Sequence, residues 1–155
     1  MNSINVLTST QLKCELYQNT NFPLLNKFLS DVSPMYPNFN TWLNFTFRRN
    51  LASGQRKIVL AHDGNHVIGA ALLKQDNVES KICTFYVSPE HRSRGTGKEL
   101  IDLAMETLDS ADTFITVGSE RKEELTPLLN SRGFEVVSEH PGLYRENSTE
   151  YVFSI

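Results

Sequence analysis

Three cations and two glycines fall within one short stretch: Arg92, Arg94, Gly95, Gly97 and Lys98. Glycine has no Cβ, so the backbone there can turn tightly and come close to a ligand. An apolar run ends just before, at Val87, and Pro89 stops it, because proline cannot donate to a strand ladder. An amphipathic segment follows at once. Leu100, Ile101, Ala104, Met105 and Leu108 fall on one helical face; Lys98, Glu99, Asp102, Glu106 and Asp109 fall on the other. The order is strand, basic glycine loop, helix. The first amide groups of a helix have no internal partner and carry the positive end of its dipole. With the three cations they form a site for a phosphate or pyrophosphate, whereas a lone Gly-x-Gly would read only as a turn.

The spacing is not that of a Walker loop, and the third glycine of a dinucleotide fingerprint is absent. Arg92-x-x-Gly95-x-Gly97, after a strand ending Val87-x-Pro89, resembles the Arg/Gln-x-x-Gly-x-Gly/Ala signature of the GNAT superfamily of acyl-CoA-dependent N-acetyltransferases. The resemblance runs from about residue 57 to 134 and includes the terminal Gly133-Phe134 pair. It implies acetyl-CoA as cosubstrate, its pyrophosphate held by Arg92, Ser93, Arg94, Gly95, Thr96, Gly97 and Lys98. The strand residues Phe85, Tyr86 and Val87 would pair with the pantetheine arm and polarise the thioester carbonyl. The implied fold is α/β (α+β), a mixed, mostly antiparallel central sheet of six to seven strands flanked by about four helices, in a single domain over 1–155.

Transfer of an acetyl group from a thioester to an amine needs a neutral amine, a polarised carbonyl and a proton for the departing thiolate. A lysine-like amine costs about 4.6 kcal/mol to deprotonate at pH 7, so a base is worth seeking. Many relatives carry a tyrosine four residues before the Gly-Phe pair; Leu129 stands there, and Lys122 stands near the usual asparagine. Tyr144 on a late hairpin, or Ser119, could supply the proton. Glu120, His140 and Glu79 are the candidate bases. Cys83 reads as strand packing rather than an acylated nucleophile, and His91 as a loop residue at the phosphate end. Tyr36 and Trp42, beside the Pro34 and Pro37 loop, are candidates to line the pocket of an unknown primary amine.

The elements that would position these groups follow from periodicity. A short strand is expected over Ile4–Leu7, a helix from Phe22 with Asn21 as cap, and a second helix over Thr41–Leu51. Strands follow at Lys57–Ala61, Val67–Leu73 and Lys81–Val87, the first two joined by an Asp63-Gly64-Asn65 hairpin turn. Val67–Leu73 is apolar on both faces, which marks a central strand. Its Gly69 leaves room for a close neighbour, a helix more simply than a ligand. The central helix runs from about Gly97 to Ser110, then a strand over Thr113–Val117 parallel to the one before. A helix to Arg132 follows, with Gly133 closing it and Pro127 implying a kink or a late start capped by Thr126. Phe134–Ser138 and Glu150–Phe153 close the chain as strands.

With 155 residues, 39% hydrophobic and 21% charged, the chain is long and apolar enough for one substantial core. A net charge of −3 gives no footprint for nucleic acid, and no apolar run is long enough to span a bilayer. Cys14 and Cys83 show no metal-ligand or disulfide spacing. A cytoplasmic monomer or homodimer, without membrane association, is expected. Two other functions share these features. One is an acyl-CoA-binding or regulatory module without turnover, for which Leu129 speaks; the other is a domain holding a different nucleotide.

Overall fold

A computed structural model describes residues 2–7, 21–63 and 66–155; of residues 2–7, Asn21, Asp63, Ser93 and Arg94 it describes the backbone alone. Cys14 and the Gly64-Asn65 turn lie outside the described residues. The first strand, β1 (Asn2–Leu7), precedes two helical segments. These are α1 (Asn21–Phe28) and α2 (Phe39–Thr41), which continues as a π-helix over Trp42–Phe47. Next come β2 (Arg56–Asp63), β3 (His66–Gln75) and β4 (Ser80–Val87), a 3₁₀ turn over Pro89–Arg94, and α3 (Thr96–Leu108). The chain ends with β5 (Thr113–Gly118), α4 (Ser119–Ser131), β6 (Glu135–Pro141) and β7 (Thr149–Ser154).

The seven described strands form one sheet in the order β1-β2-β3-β4-β5-β7-β6, antiparallel except between β4 and β5. This is the mixed, mostly antiparallel sheet with four flanking helices that the sequence implies. Strand alternation divides the core between two faces. Val59, Ala61, Ala71 and Leu73 pack with α3 and α4, whereas Ile58, Leu60, Ala70 and Leu72 pack with α1 and α2. Burial on both sides is why β3 reads as a continuous apolar run. A Cβ on Gly69 would lie 3.2 Å from Leu100 Cδ2 and 3.3 Å from Ala61 Cβ, so its close neighbour is the central helix.

Strand ends shift by a few residues, and two helix differences have a local cause. The second helix starts at Phe39, before Thr41, because Asn38 takes the left-handed conformation (φ 61°) and its carbonyl accepts the Trp42 amide at 2.9 Å. The helix α4 is continuous through Pro127 rather than starting late at Thr126. Thr126 Oγ1 donates to the Lys122 carbonyl at 2.6 Å, and Pro127 lies on an exposed face, where water can satisfy the carbonyl it frees. On the opposite side of the sheet, Asn26 and Asn44 exchange side-chain hydrogen bonds at 2.8 and 2.9 Å and clamp α1 to α2.

Candidate active site

The sheet parts where the site lies. β4 and β5 pair only at Ser80–Thr113, Lys81–Phe114 and Ile82–Ile115. Beyond that, β4 stays paired to β3 as far as Val87, and β5 stays paired to β7 as far as Gly118. Each strand is held by its outer neighbour, so the facing edges of residues 83–87 and 116–118 form a wedge. Backbone groups along such an edge can pair with an extended ligand, as another strand would.

On the α3 and α4 side of the wedge is a groove of about 520 Å³, between Val87, Gly95, Gly97 and Lys98 on one bank and Leu125 and Leu128 on the other. Gly95 has φ 83°, which favours glycine, and a Cβ there would meet nothing within 4 Å. The turn is therefore open above Gly95, and the amino end of α3 begins directly after it. Phe85 and Val87 line the groove; the Tyr86 ring belongs to the opposite face, where its hydroxyl donates to Asp31 Oδ2 at 2.8 Å. Thr96 is fully buried beneath the turn, and the Lys98 side chain is exposed. Arg92 is exposed but tied back to the protein. Its Nε donates to the Val87 carbonyl at 3.0 Å, and its Nη1 lies 3.3 Å from Glu124 Oε1. Glu124 also accepts from Arg121 Nη2 at 3.0 Å, so one carboxylate ties both arginines beside the wedge. Ser93 and Arg94, assigned to the same loop from sequence, have side chains outside the described set.

A second cavity, about 300 Å³, opens on the other side of the wedge. Tyr36, Cys83, Thr84 and Thr116 line both this cavity and the wedge, and Phe85 and Leu125 line both the wedge and the groove. The gap between the strands, only about 10 Å³ in volume, thus lies between groove and cavity and shares its lining with both. Tyr36, Phe39, Trp42 and Tyr144 make the aromatic wall, with the Tyr36 and Tyr144 rings edge to face at 5.4 Å. Tyr36 and Trp42 both border the cavity, as does Tyr144. Trp42 is carried there by the π-helical turn, an irregularity often found at functional sites.

Glu150 of β7 is the group the sequence reading missed. It is 3% exposed, and its Oε1 accepts a hydrogen bond from the Tyr36 hydroxyl at 3.2 Å. Burial pushes its carboxyl above the usual range, against hydrogen bonds from Tyr36 and Thr116 that favour the charged form. Burial, followed by the Glu150 charge, raises the Tyr36 phenol as well. The Tyr144 phenol is raised by burial first and by Glu150 second, which keeps it protonated. The available signal was a carboxylate opening an otherwise apolar strand. Its inward direction depends on the pairing of Glu150 with Gly118, which no local pattern gives.

Ser119 and Glu120 lie at the far end of β5. Ser119 Oγ is 3.2 Å from Ser148 Oγ and accepts the Thr149 amide at 3.3 Å. Glu120 accepts from Ser148 and Arg145. Burial works to raise its carboxyl, but those bonds and the Arg145 charge leave it below the usual range. A Cβ on Gly118 would meet Glu120 Oε2 at 3.2 Å and Glu150 Oε2 at 3.4 Å, so both carboxylates border this glycine. The remaining candidates have local partners: Glu79 with Lys74 Nζ at 2.7 Å, His140 Nε2 with Ser138 Oγ at 3.1 Å, and His91 Nδ1 with Ser88 Oγ at 2.7 Å. Burial raises the Cys83 thiol, which disfavours a thiolate nucleophile.

The pattern of the acetyltransferase (GNAT) domain family matches residues 30–145. The chain belongs to the GNAT acetyltransferase family. Among solved structures, it is similar to the NatC complex bound to Gag peptide and CoA, at 17% identity and a TM-score of 0.77, covering 99% of this chain and 97% of that one. It is also similar to a GNAT family acetyltransferase from Elizabethkingia anophelis with acetyl-CoA bound, at 14% identity, TM-score 0.66 and 99% and 97% coverage. Nourseothricin acetyltransferase matches at 18% identity and a TM-score of 0.60, over 66% of each chain. At these identities the likeness is one of fold. No curated protein matches in sequence. Family membership supports acetyl-CoA as cosubstrate. In this GNAT chain Leu129, at the usual tyrosine position, is 1% exposed and packs in the core. Among the described residues, no helix is long and apolar enough to cross a membrane, and no group of three His, Cys, Asp or Glu could hold a metal ion.

Proposed function

We propose that this chain, as one domain over 1–155, transfers the acetyl group of acetyl-CoA to a primary amine by direct attack on the thioester. The observation that carries this is the parting of β4 and β5, whose facing edges lie between the glycine-turn groove and a separate cavity and share lining residues with both. Donor and acceptor can enter from opposite sides and meet at the wedge. In this reading the amides from Gly95 to Lys98 and the Lys98 ammonium hold the pyrophosphate, and the free edge of β4 at Phe85–Val87 receives the pantetheine. Arg92 supports the turn through the Val87 carbonyl, and Ser93, Arg94 and Thr96 complete the loop.

Glu150 takes the proton from the incoming ammonium, and Tyr36 orients its carboxylate. The amine nitrogen then bonds to the carbonyl carbon, the carbon–sulfur bond breaks as Tyr144 gives its proton to the sulfur, and the second proton leaving the nitrogen restores the Tyr144 phenol. A neutral phenol at the cavity mouth suits that task. Ser119 and Glu120 remain candidates of a second kind, acting through the loop that carries Tyr144, since both bind Ser148 beside it. The cytoplasm is the expected compartment.

Acetyl-CoA tests the reading. At one hundred times its Kd it should stabilise the protein by about 2.7 kcal/mol, a rise in Tm of roughly 5–10 °C. Gly95→Val, which places a branched side chain at φ 83°, should remove that shift. Acceptor-dependent release of free CoA thiol should accompany it. A shift without thiol release across a broad amine panel would indicate a binding module, and no shift at all would end the proposal.

A further inference from the structure

Resting on the acetyltransferase reading, we infer that the acceptor carries a carboxylate beside its amine, that it is an amino-acid-sized molecule, and that Arg56 binds the carboxylate. Arg56 is only 8% exposed and stands in the cavity wall. Its Nη1 donates to Cys83 Sγ at 3.3 Å, and its guanidinium carbon lies 5.7 Å from the Trp42 ring centre and 5.6 Å from that of Phe47. Among the described residues no carboxylate pairs with it. A guanidinium so far removed from water normally has an anion in its fork, and its planar donors match a carboxylate in two-pronged geometry. The aromatic rings hold the group in place and supply part of its stabilisation without occupying those donors.

The rest of the wall has the same sign. Lys81 Nζ lies over the Phe114 ring at 5.6 Å and has no carboxylate partner among the described residues. Lys74 is occupied by Glu79 at 2.7 Å and by Asp76 at 3.6 Å. Three cations thus face one carboxylate, Glu79, in the cavity lining, with Glu150 behind Tyr36 as a second, in a chain whose net charge is −3. A polyamine or aminoglycoside would meet repulsion here, whatever the overall charge suggests. Cys83 sets the scale of the ligand, because it touches Arg56 and also borders the wedge where the amine must arrive. An anion on Arg56 and an amine at the wedge are then neighbours on one small molecule. A cavity of about 300 Å³ is at the small end for ligand sites. The aromatic wall favours an apolar side chain. The products would be an N-acetylated amino carboxylate and CoA, the amine proton ending on sulfur.

Trp42, the single tryptophan of the chain, lines this cavity and reports its occupancy by fluorescence. The full-length protein with CoA bound is titrated with leucine, methionine and phenylalanine, with the amide of each, and with a short peptide. The free acids should give a saturable change, and the amides should bind at least tenfold more weakly. Arg56→Met should erase that difference and Arg56→Lys should keep part of it, with the Tm shift from acetyl-CoA retained in both. Equal binding of acids and amides, no response to any amino acid at millimolar concentration, or a response to the peptide alone would overturn the inference. The comparison of acid with amide in the unmutated protein decides it even if Arg56→Met does not fold. A missing acetyl-CoA shift would instead strike the donor reading, so the two failures are distinguishable.

Discussion

As the proposed base, Glu150 would have to lose its proton inside a wall of side chains. Because burial raises its carboxyl, the active, ionised form appears only at higher pH than for an exposed glutamate. The acid limb of kcat/KM should therefore lie above the ordinary carboxylate range, and Glu150→Gln should abolish that limb and lower kcat/KM by about 10²–10⁴-fold. Stability moves the opposite way. A group whose folded pKa is raised contributes stability below its unfolded pKa and loses it as pH rises through the folded value. Glu150→Gln should thus raise Tm relative to the parent at about pH 8, and the gain should vanish near about pH 4. Thermal melts at the two pH values, alongside a rate profile, check both signs. A variant that loses activity and gains stability is what a buried catalytic base would give.

At the scale of elements, the site depends on how closely the central helix sits on β3. Gly69 leaves no spare volume between Leu100 and Ala61. Gly69→Val should overpack this contact and cost about 1–3 kcal/mol, read as a lower denaturant midpoint. Because α3 presents the glycine turn, the same variant should also weaken acetyl-CoA binding. The contrasting case is the exposed pair between Arg132, at the end of α4, and Asp102 of α3, where Nη2 and Oδ2 are 2.9 Å apart. Its removal by Arg132→Ala should cost no more than about 1 kcal/mol, because water screens such a pair. A large loss there would mean that the ion pair, rather than packing, sets the spacing of the helices that bound the groove.

For the molecule as a whole, stability is unevenly distributed across the sheet. β3 and β4 are central and buried on both faces, whereas β6 is an edge strand with nearly every residue exposed. Amide hydrogens of β3 should exchange only by global unfolding, while those on the outer edge of β6 exchange orders of magnitude faster. Mass-resolved hydrogen exchange would show it. Adding acetyl-CoA should then slow exchange most along residues 83–87 and 95–98, where the proposed ligand lies.

Much of this arrangement was legible in the chain itself. The apolar run of β2, the two-faced burial of β3, the apolar face of α3, and the glycines at 95, 97 and 133 are local patterns with local causes; they gave the element order and pointed to the donor side. Helix boundaries were less legible, because a positive φ at Asn38 and a hydroxyl back-bond at Thr126 overrode ordinary start and stop signals. The acceptor side required coordinates. The proline loop marked Tyr36 and Trp42 for the pocket, but nothing local to Arg56 or Glu150, on distant strands, shows that they meet them there. The net charge is −3, yet the cavity gathers cations, since the sum over a sequence does not say which charges share a wall. Short-range periodicity determines which residues face inward; only strand pairing and helix docking decide which inward-facing residues meet, because that depends on register between segments far apart in the chain.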